Sequence, residues 1–193
     1  MNKETEVKIK INDKELQRIE VFLGLDDKIW NFERTYGFFT PDGESIKKGI
    51  FPRIKTNSNG NYGKLCIKVK ERKDVDYFER KEYEFASTKV EDYMSLMMLF
   101  GYTDIRIFDK LRKEKNFERT MVSLDKLPFG IYIEIEGDKK PIENVIKILG
   151  LENNERIVGA YLKLADDLGL RNAVFGGEIV EQGKSNDILP LVS

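Results

Sequence analysis

Six pairs of like-charged side chains stand two residues apart in this sequence. Glu4/Glu6, Glu82/Glu84 and Glu134/Glu136 are acidic, and Arg53/Lys55, Lys68/Lys70 and Lys110/Arg112 are basic. A spacing of two puts both members of a pair on one face of a β-strand. Lys8 and Lys10 continue the first acidic pair, and Val7, Ile9, Ile54, Ile67, Val69, Tyr83, Phe85, Leu111, Ile133 and Ile135 fall on the opposite faces. Clustered carboxylates are hard oxygen ligands suited to Mg²⁺ or Mn²⁺. Clustered Lys and Arg suit phosphate oxygens, which Arg can bind in bidentate fashion. A polyphosphate carrying a divalent metal satisfies both sets together, whereas a carbohydrate or an apolar ligand satisfies neither.

Two architectures can present such faces. An antiparallel sheet packed on helices by its apolar face would leave the charges in water, which accounts for any single pair. Like charges on one strand face repel, however, and the segregation by sign across six pairs favours a second arrangement. There the sheet closes into a barrel with helices outside and the charges in its lumen, where they require a ligand because unpaired buried charge is costly.

The elements that must position these residues follow from periodicity. Residues 4–11 alternate strictly, as a strand. Asn12 with Glu15 forms a capping box ahead of Leu16, Ile19, Phe22 and Leu23, a helix that Gly24 stops. Extended segments are expected at 28–39, 49–55, 64–70 and 77–85, with a turn at 40–43 and a loop at 57–61. Thr88 and Glu91 read as a capping box for a helix with Val90, Tyr93, Leu96, Met97 and Phe100 as its core stripe, ending at Gly101. Strands at 102–114, 117–125 and 130–136 bring the total to roughly eight, the number of a small closed barrel. Helices are expected from Pro141 to Gly150 and over 154–168. The fold class is therefore α+β, an eight-stranded antiparallel barrel with helices around it. Residues 1–170 form one domain, and 171–193 form a tail expected to be partly disordered.

Composition narrows the chemistry. The 193 residues contain 33 Lys plus Arg, 34 Asp plus Glu, no histidine and one cysteine, for a net charge of -1. Without histidine there is no Ser-His-Asp or Cys-His dyad and no HExxH zinc site. Cys66 alone can close no disulfide within the chain, and it reads as an inert small side chain. The longest apolar stretch, 94–100, is far short of the ~20 residues that span a bilayer. The amino-terminal residues have neither signal-peptide nor transit-peptide character. Balanced charge argues against nonspecific nucleic-acid binding. A cytoplasmic location with no nucleic-acid or membrane partner is expected, and a homodimer is compatible with the sequence. Trp30 reads as packing.

Glu4-Thr5-Glu6-Val7-Lys8 resembles the ExExK signature that opens the CYTH domain, or triphosphate tunnel metalloenzyme family. The later order agrees: Arg53-Ile54-Lys55 and Lys68-Val69-Lys70 look like the family's basic strands, Glu82-Tyr83-Glu84 like its next acidic pair, and Lys110-Leu111-Arg112 like the following basic pair. Ser123-Leu124-Asp125-Lys126-Leu127-Pro128, followed by residues 130–137, resembles its late segment. Gly159-Ala160-Tyr161-Leu162-Lys163-Leu164 looks like its terminal helix. The resemblance spans about residues 3–168.

It implies an eight-stranded tunnel that binds a triphosphate with Mg²⁺ or Mn²⁺. Glu4, Glu6, Glu134 and Glu136 would be metal ligands, with Glu84 and also Glu82 assisting through water. Lys8, Arg53, Lys55, Lys68, Lys70, Lys110 and Arg112 would contact phosphate, and Lys8, Glu4 and Glu6 would carry catalysis. Many members have an Asp beside the aromatic strand, where this chain has Arg34-Thr35-Tyr36-Gly37-Phe38-Phe39. The favoured activity is that of a class IV adenylate cyclase, converting ATP to cyclic AMP and pyrophosphate. A triphosphatase acting on thiamine triphosphate or inorganic triphosphate, or a binding module without turnover, are the alternatives. Retention of both outer acidic pairs favours catalysis.

Overall fold

The computed structural model describes residues 2–57, 62–73 and 77–176. The side chains of Glu4 and Lys70, and the tail from residue 177, lie outside the described residues. Nine strands form one antiparallel sheet: β1 (Asn2–Ile11), β2 (Asn31–Phe39), β3 (Ile50–Thr56), β4 (Tyr62–Lys73), β5 (Phe78–Lys89), β6 (Asp104–Phe117), β7 (Thr120–Leu127), β8 (Gly130–Gly137) and β9 (Arg156–Ile157). Their order is β5-β4-β3-β2-β6-β7-β8-β1-β9, and β5 pairs in addition with β1, Asn2 opposite Glu82 through Glu6 opposite Phe78. The helices are α1 (Asp13–Leu23), α2 (Glu44–Lys47), α3 (Val90–Leu99), α4 (Lys139–Ile148) and α5 (Tyr161–Asp167).

The two-residue alternation decides which side of the sheet each helix covers. Val7, Ile9 and Ile11 of β1, Val122 and Leu124 of β7, and Ile133 and Ile135 of β8 pack against Leu16, Ile19 and Leu23 of α1 and Ile142, Val145 and Ile146 of α4. The capping box fixes the start of α1: the Asn12 side chain accepts from the Glu15 amide, and Glu15 accepts from the Asn12 amide. Gly24 ends the helix in the left-handed conformation, where a side chain would be strained. Phe38 and Ile54 pack under Val90, Tyr93 and Met97 of α3. Trp30 packs against the larger core, with the Lys113 and Lys126 ammonium groups over its ring.

Several boundaries differ from the sequence reading. Among the described residues there are nine strands and not eight, because the expected helix over 154–168 is split. Arg156–Ile157 pairs with Lys8–Ile9 of β1 instead, and Gly159, at φ 154°, separates this strand from α5. The strand expected to end at 114 runs on to Phe117 and turns through Glu118 and Arg119, both with positive φ, as a tight hairpin requires. β5 continues to Lys89, so Lys89 and not Thr88 precedes α3, with no side-chain cap bond. Leu96 and Phe100 of the expected core stripe are exposed, while Val90, Tyr93 and Met97 are buried.

Close approach of β3 and β4 depends on Gly63. A Cβ there would stand 2.5 Å from Ile54 Cγ1 and 2.9 Å from the Lys55 carbonyl oxygen, and the backbone oxygen cannot yield without moving the strand. Gly63→Ala is therefore expected to cost about 1–3 kcal/mol, read as a lowered urea midpoint. It should also displace the strand carrying Arg53 and Lys55.

Candidate active site

The face of the sheet opposite the helix-packed face is charged, and it is buried. Glu6 and Lys8 are 1% and 2% exposed, Lys68 and Lys110 each 5%, and Asp125 0%. Solvation of this face is therefore not the reason for the charge pattern. A cavity of about 140 Å³ opens along it, lined by Lys8, Arg53, Lys55, Lys68, Lys110 and Arg112 and by Glu33, Glu82, Glu84, Glu134 and Glu136. Phe108, Ala160, Tyr161 and Leu162 complete the lining, so α5 and the residues before it form one wall. Tyr161 packs against Tyr132 with the rings tilted by 59° and their centroids 5.5 Å apart, in an apolar cluster with Phe108 and Leu127.

The acidic side is built by β1 and β8. Antiparallel register sets Glu6 directly opposite Glu136 and Lys8 opposite Glu134. Lys8 Nζ bridges the two strands, bonding Glu6 and lying 3.0 Å from Glu134 Oε2. It also sits 5.1 Å from the Tyr161 ring centroid. Glu134 Oε1 accepts from Arg112 Nη2 at 3.1 Å, and the same guanidinium makes a two-pronged pair with Asp125, Nε to Oδ1 at 2.6 Å and Nη2 to Oδ2 at 2.5 Å. Tyr161 donates its hydroxyl to Asp125 Oδ2 at 2.8 Å. Burial opposes the charge on Arg112, but Asp125 and Glu134 overcome it and raise its pKa well above the ordinary range. Burial beside Asp125 likewise pushes the Tyr161 phenol up.

The basic side is built by β3, β4 and β6 around β2. Lys68 Nζ and Arg53 Nη2 share the Glu82 carboxylate, at 2.9 and 3.3 Å, and Cys66 also bonds it. Burial pushes the Cys66 thiol up, which suits an inert role. Lys110 Nζ lies 2.9 Å from Glu33 Oε1. The neighbouring Arg53 charge, followed by burial, lowers Lys55 to about 8 despite the opposing pull of Glu33. Arg53 Nε, the Thr35 and Tyr93 hydroxyls and Glu33 Oε1 are buried without a well-directed hydrogen bond among the described residues, so the Lys110–Glu33 contact is an ion pair only. Donors held in this way offer bonds to an incoming acceptor.

Of the residues expected from the sequence, Lys8, Arg53, Lys55, Lys68, Lys110, Arg112, Glu84, Glu134 and Glu136 line one cavity, with Glu82 among them and Glu6 bound to Lys8. Glu84 occupies the most open position of the acidic residues, paired with Lys64. Glu33 and Asp125 were not anticipated, because neither has a like-charged residue two positions away. Their importance comes from Lys110 and Arg112 on a neighbouring strand. The available metal donors are all carboxylate oxygens, as Mg²⁺ or Mn²⁺ prefers. Among the described residues no three acidic, histidine or cysteine side chains already converge as a cation cage. The Glu6 and Glu136 positions face each other across β1 and β8. No helix of the described residues is long and apolar enough to cross a membrane.

No protein-family model matches the sequence, and neither does any curated protein. Solved structures do match. A Pyrococcus horikoshii OT3 protein superposes with a TM-score of 0.64 at 21% identity, covering 86% of this chain and 99% of its own. A Vibrio parahaemolyticus protein named a "putative adenylate cyclase" gives 0.63 at 16% identity, over 84% and 97% of the two chains. A Hippeastrum protein named a "putative adenylyl cyclase", with a dominant triphosphatase activity, gives 0.61 at 14% identity, over 86% and 96%. The chain shares its fold with these proteins.

Proposed function

We propose that this protein is a divalent-metal-dependent enzyme of the CYTH kind that acts on a nucleoside or other organic triphosphate, with cyclisation of ATP as the favoured reaction. The observation that carries this reading is the burial of many carboxylates and cations together around one cavity. Pairing of β1 with β5 at the far margin of the sheet supports a closed tunnel around that cavity. Among the described residues six cations and five carboxylates line it, so their charges nearly balance. A bare triphosphate would bring uncompensated negative charge, whereas a triphosphate with Mg²⁺ or Mn²⁺ would not.

Glu6, Glu134 and Glu136, together with Glu4, would hold the metal, which supplies charge neutralisation at the phosphate oxygens and orients the phosphates. Lys8, Arg53, Lys55, Lys68, Lys110 and Arg112, with Lys70, would bind the phosphate chain. Such fixed cations stabilise charge developing in the transition state. In the cyclase reaction the 3′-oxygen bonds to the α-phosphorus as the bond to pyrophosphate breaks. With no histidine in the chain, the 3′ proton passes to a lysine or carboxylate of the cavity or to solvent.

The same clamp can direct water at the terminal phosphorus, and the triphosphatase activity of the Hippeastrum protein of similar fold favours that second reading. Incubation with ATP, thiamine triphosphate and inorganic triphosphate, each with Mg²⁺ or Mn²⁺, separates the two. Cyclic AMP with pyrophosphate is the expected product. Orthophosphate instead would make it a triphosphatase, and tight binding without product would make it a binding module.

A further inference from the structure

We infer that Glu33 is a built-in stand-in for a phosphate group: its carboxylate occupies the basic side of the cavity and must be displaced by a polyphosphate, so it limits how tightly the site holds anions that arrive without a metal. The inference rests on the triphosphate reading above and deepens it.

β2 lies between β3 and β6, the strands that carry Arg53/Lys55 and Lys110/Arg112. Register places Glu33 opposite Lys110, and Lys110 Nζ comes within 2.9 Å of Glu33 Oε1. The charges of Lys55 and Arg112 also act on this carboxylate. Lys68 acts on Lys55 from β4. Burial alone would raise the Glu33 pKa, but Lys110, Lys55 and Arg112 overcome it and hold the group at about 2, so Glu33 is an anion throughout the useful pH range. A negative charge 2.9 Å from Lys110 and within the field of Lys55 and Arg112 takes a place that a phosphate oxygen could otherwise fill. Arg53 lines the cavity and its Nε is unpartnered, so the site retains a donor that Glu33 does not use. Glu33 is 26% exposed, unlike the nearly sealed Glu6 and Asp125, and it faces the cavity.

The test is calorimetric titration of inorganic tripolyphosphate, with chelator, at about pH 6.5, below the value of about 8 to which Lys55 is lowered. Glu33→Gln is expected to bind about tenfold more tightly than the wild type, since one repelling charge beside the ligand is gone. Glu33→Ala, which vacates the seat altogether, should behave likewise, and the charge-preserving Glu33→Asp should stay near the wild type. Glu143→Gln, whose parent carboxylate pairs with Arg156 outside the cavity lining, should show no gain. With excess Mg²⁺ the advantage should shrink, because the metal complex carries less net charge.

A pH series supplies a readout that mere structural loosening would not move. Wild-type affinity should fall as pH rises through about 8, where Lys55 releases its proton. In Glu33→Gln that fall should begin at lower pH, because the charge that helps Lys55 keep its proton is absent. Unchanged or weaker binding by both neutral variants overturns the role of Glu33 alone. No binding by the wild type, with or without Mg²⁺, overturns the triphosphate reading and this inference with it.

Discussion

Glu136→Gln is expected to lower metal-dependent turnover by about 100-fold or more while leaving the stability of the protein within about 1 kcal/mol of the wild type. Glu136 stands opposite Glu6 across β1 and β8, and both strands present these carboxylates to the charged face. Two like charges at directly opposed positions destabilise a sheet unless a cation lies between them. Replacing Glu136 by an amide of the same shape changes side-chain volume little, so the fold is kept, and it would remove one ligand charge from the metal. The two effects separate in a melting experiment. Mn²⁺ should raise the wild-type midpoint, as any ligand of the folded state does, and should raise that of the variant far less. If the variant instead unfolds readily without metal, Glu136 belongs to the ion-pair scaffold and not to a metal site.

The part of this site legible in the sequence is the part written as a period. Glu6 and Lys8 alternate with Val7 and Ile9, and that alternation survives in the structure as one charged face and one face packed under α1 and α4. What the pattern could not decide is whether the charged face meets water or protein. That depends on pairings between distant strands, above all β1 with β5, and no local signal encodes them.

Single ionisable residues were harder to read than pairs for the same reason. Glu33 is one carboxylate in an aromatic strand, and only its registration against Lys110 makes it a cavity group. The hairpin at Glu118–Arg119 carries neither glycine nor asparagine, so its positive φ angles had no residue to announce them. On α3 the apolar residues run around the helix, and composition alone could not show that Leu96 and Phe100 face outward while Tyr93 and Met97 face Phe38 and Ile54. At residues 154–168 the apolar spacing resembled a helix, yet Ile157 satisfies its backbone against β1, and Gly159 makes the break.

Asp125→Ala should produce the largest loss of stability, about 3–5 kcal/mol, because it leaves a buried guanidinium without its main counter-charge. Asp125 is fully buried and binds Arg112 through both oxygens, while Tyr161 donates to it from α5. One carboxylate therefore fixes three things together: the direction of Arg112 into the cavity, the seat of α5, and the balance of charge that lets Glu134 serve both Arg112 and Lys8. Its removal would draw Glu134 towards Arg112, weaken its hold on Lys8, and misplace groups on both sides of the site at once. Urea unfolding should show the loss directly, and residual activity in the still-folded fraction should fall as well. Tyr161→Phe, which removes one donor but leaves the ion pair intact, should cost only about 1 kcal/mol. Equal losses in the two variants would shift the role from the Arg112–Asp125 pair to the packing of α5. An Asp125→Ala protein as stable as the wild type would mean that Glu134 alone can neutralise Arg112, and that Asp125 serves to aim the guanidinium and not to hold the fold.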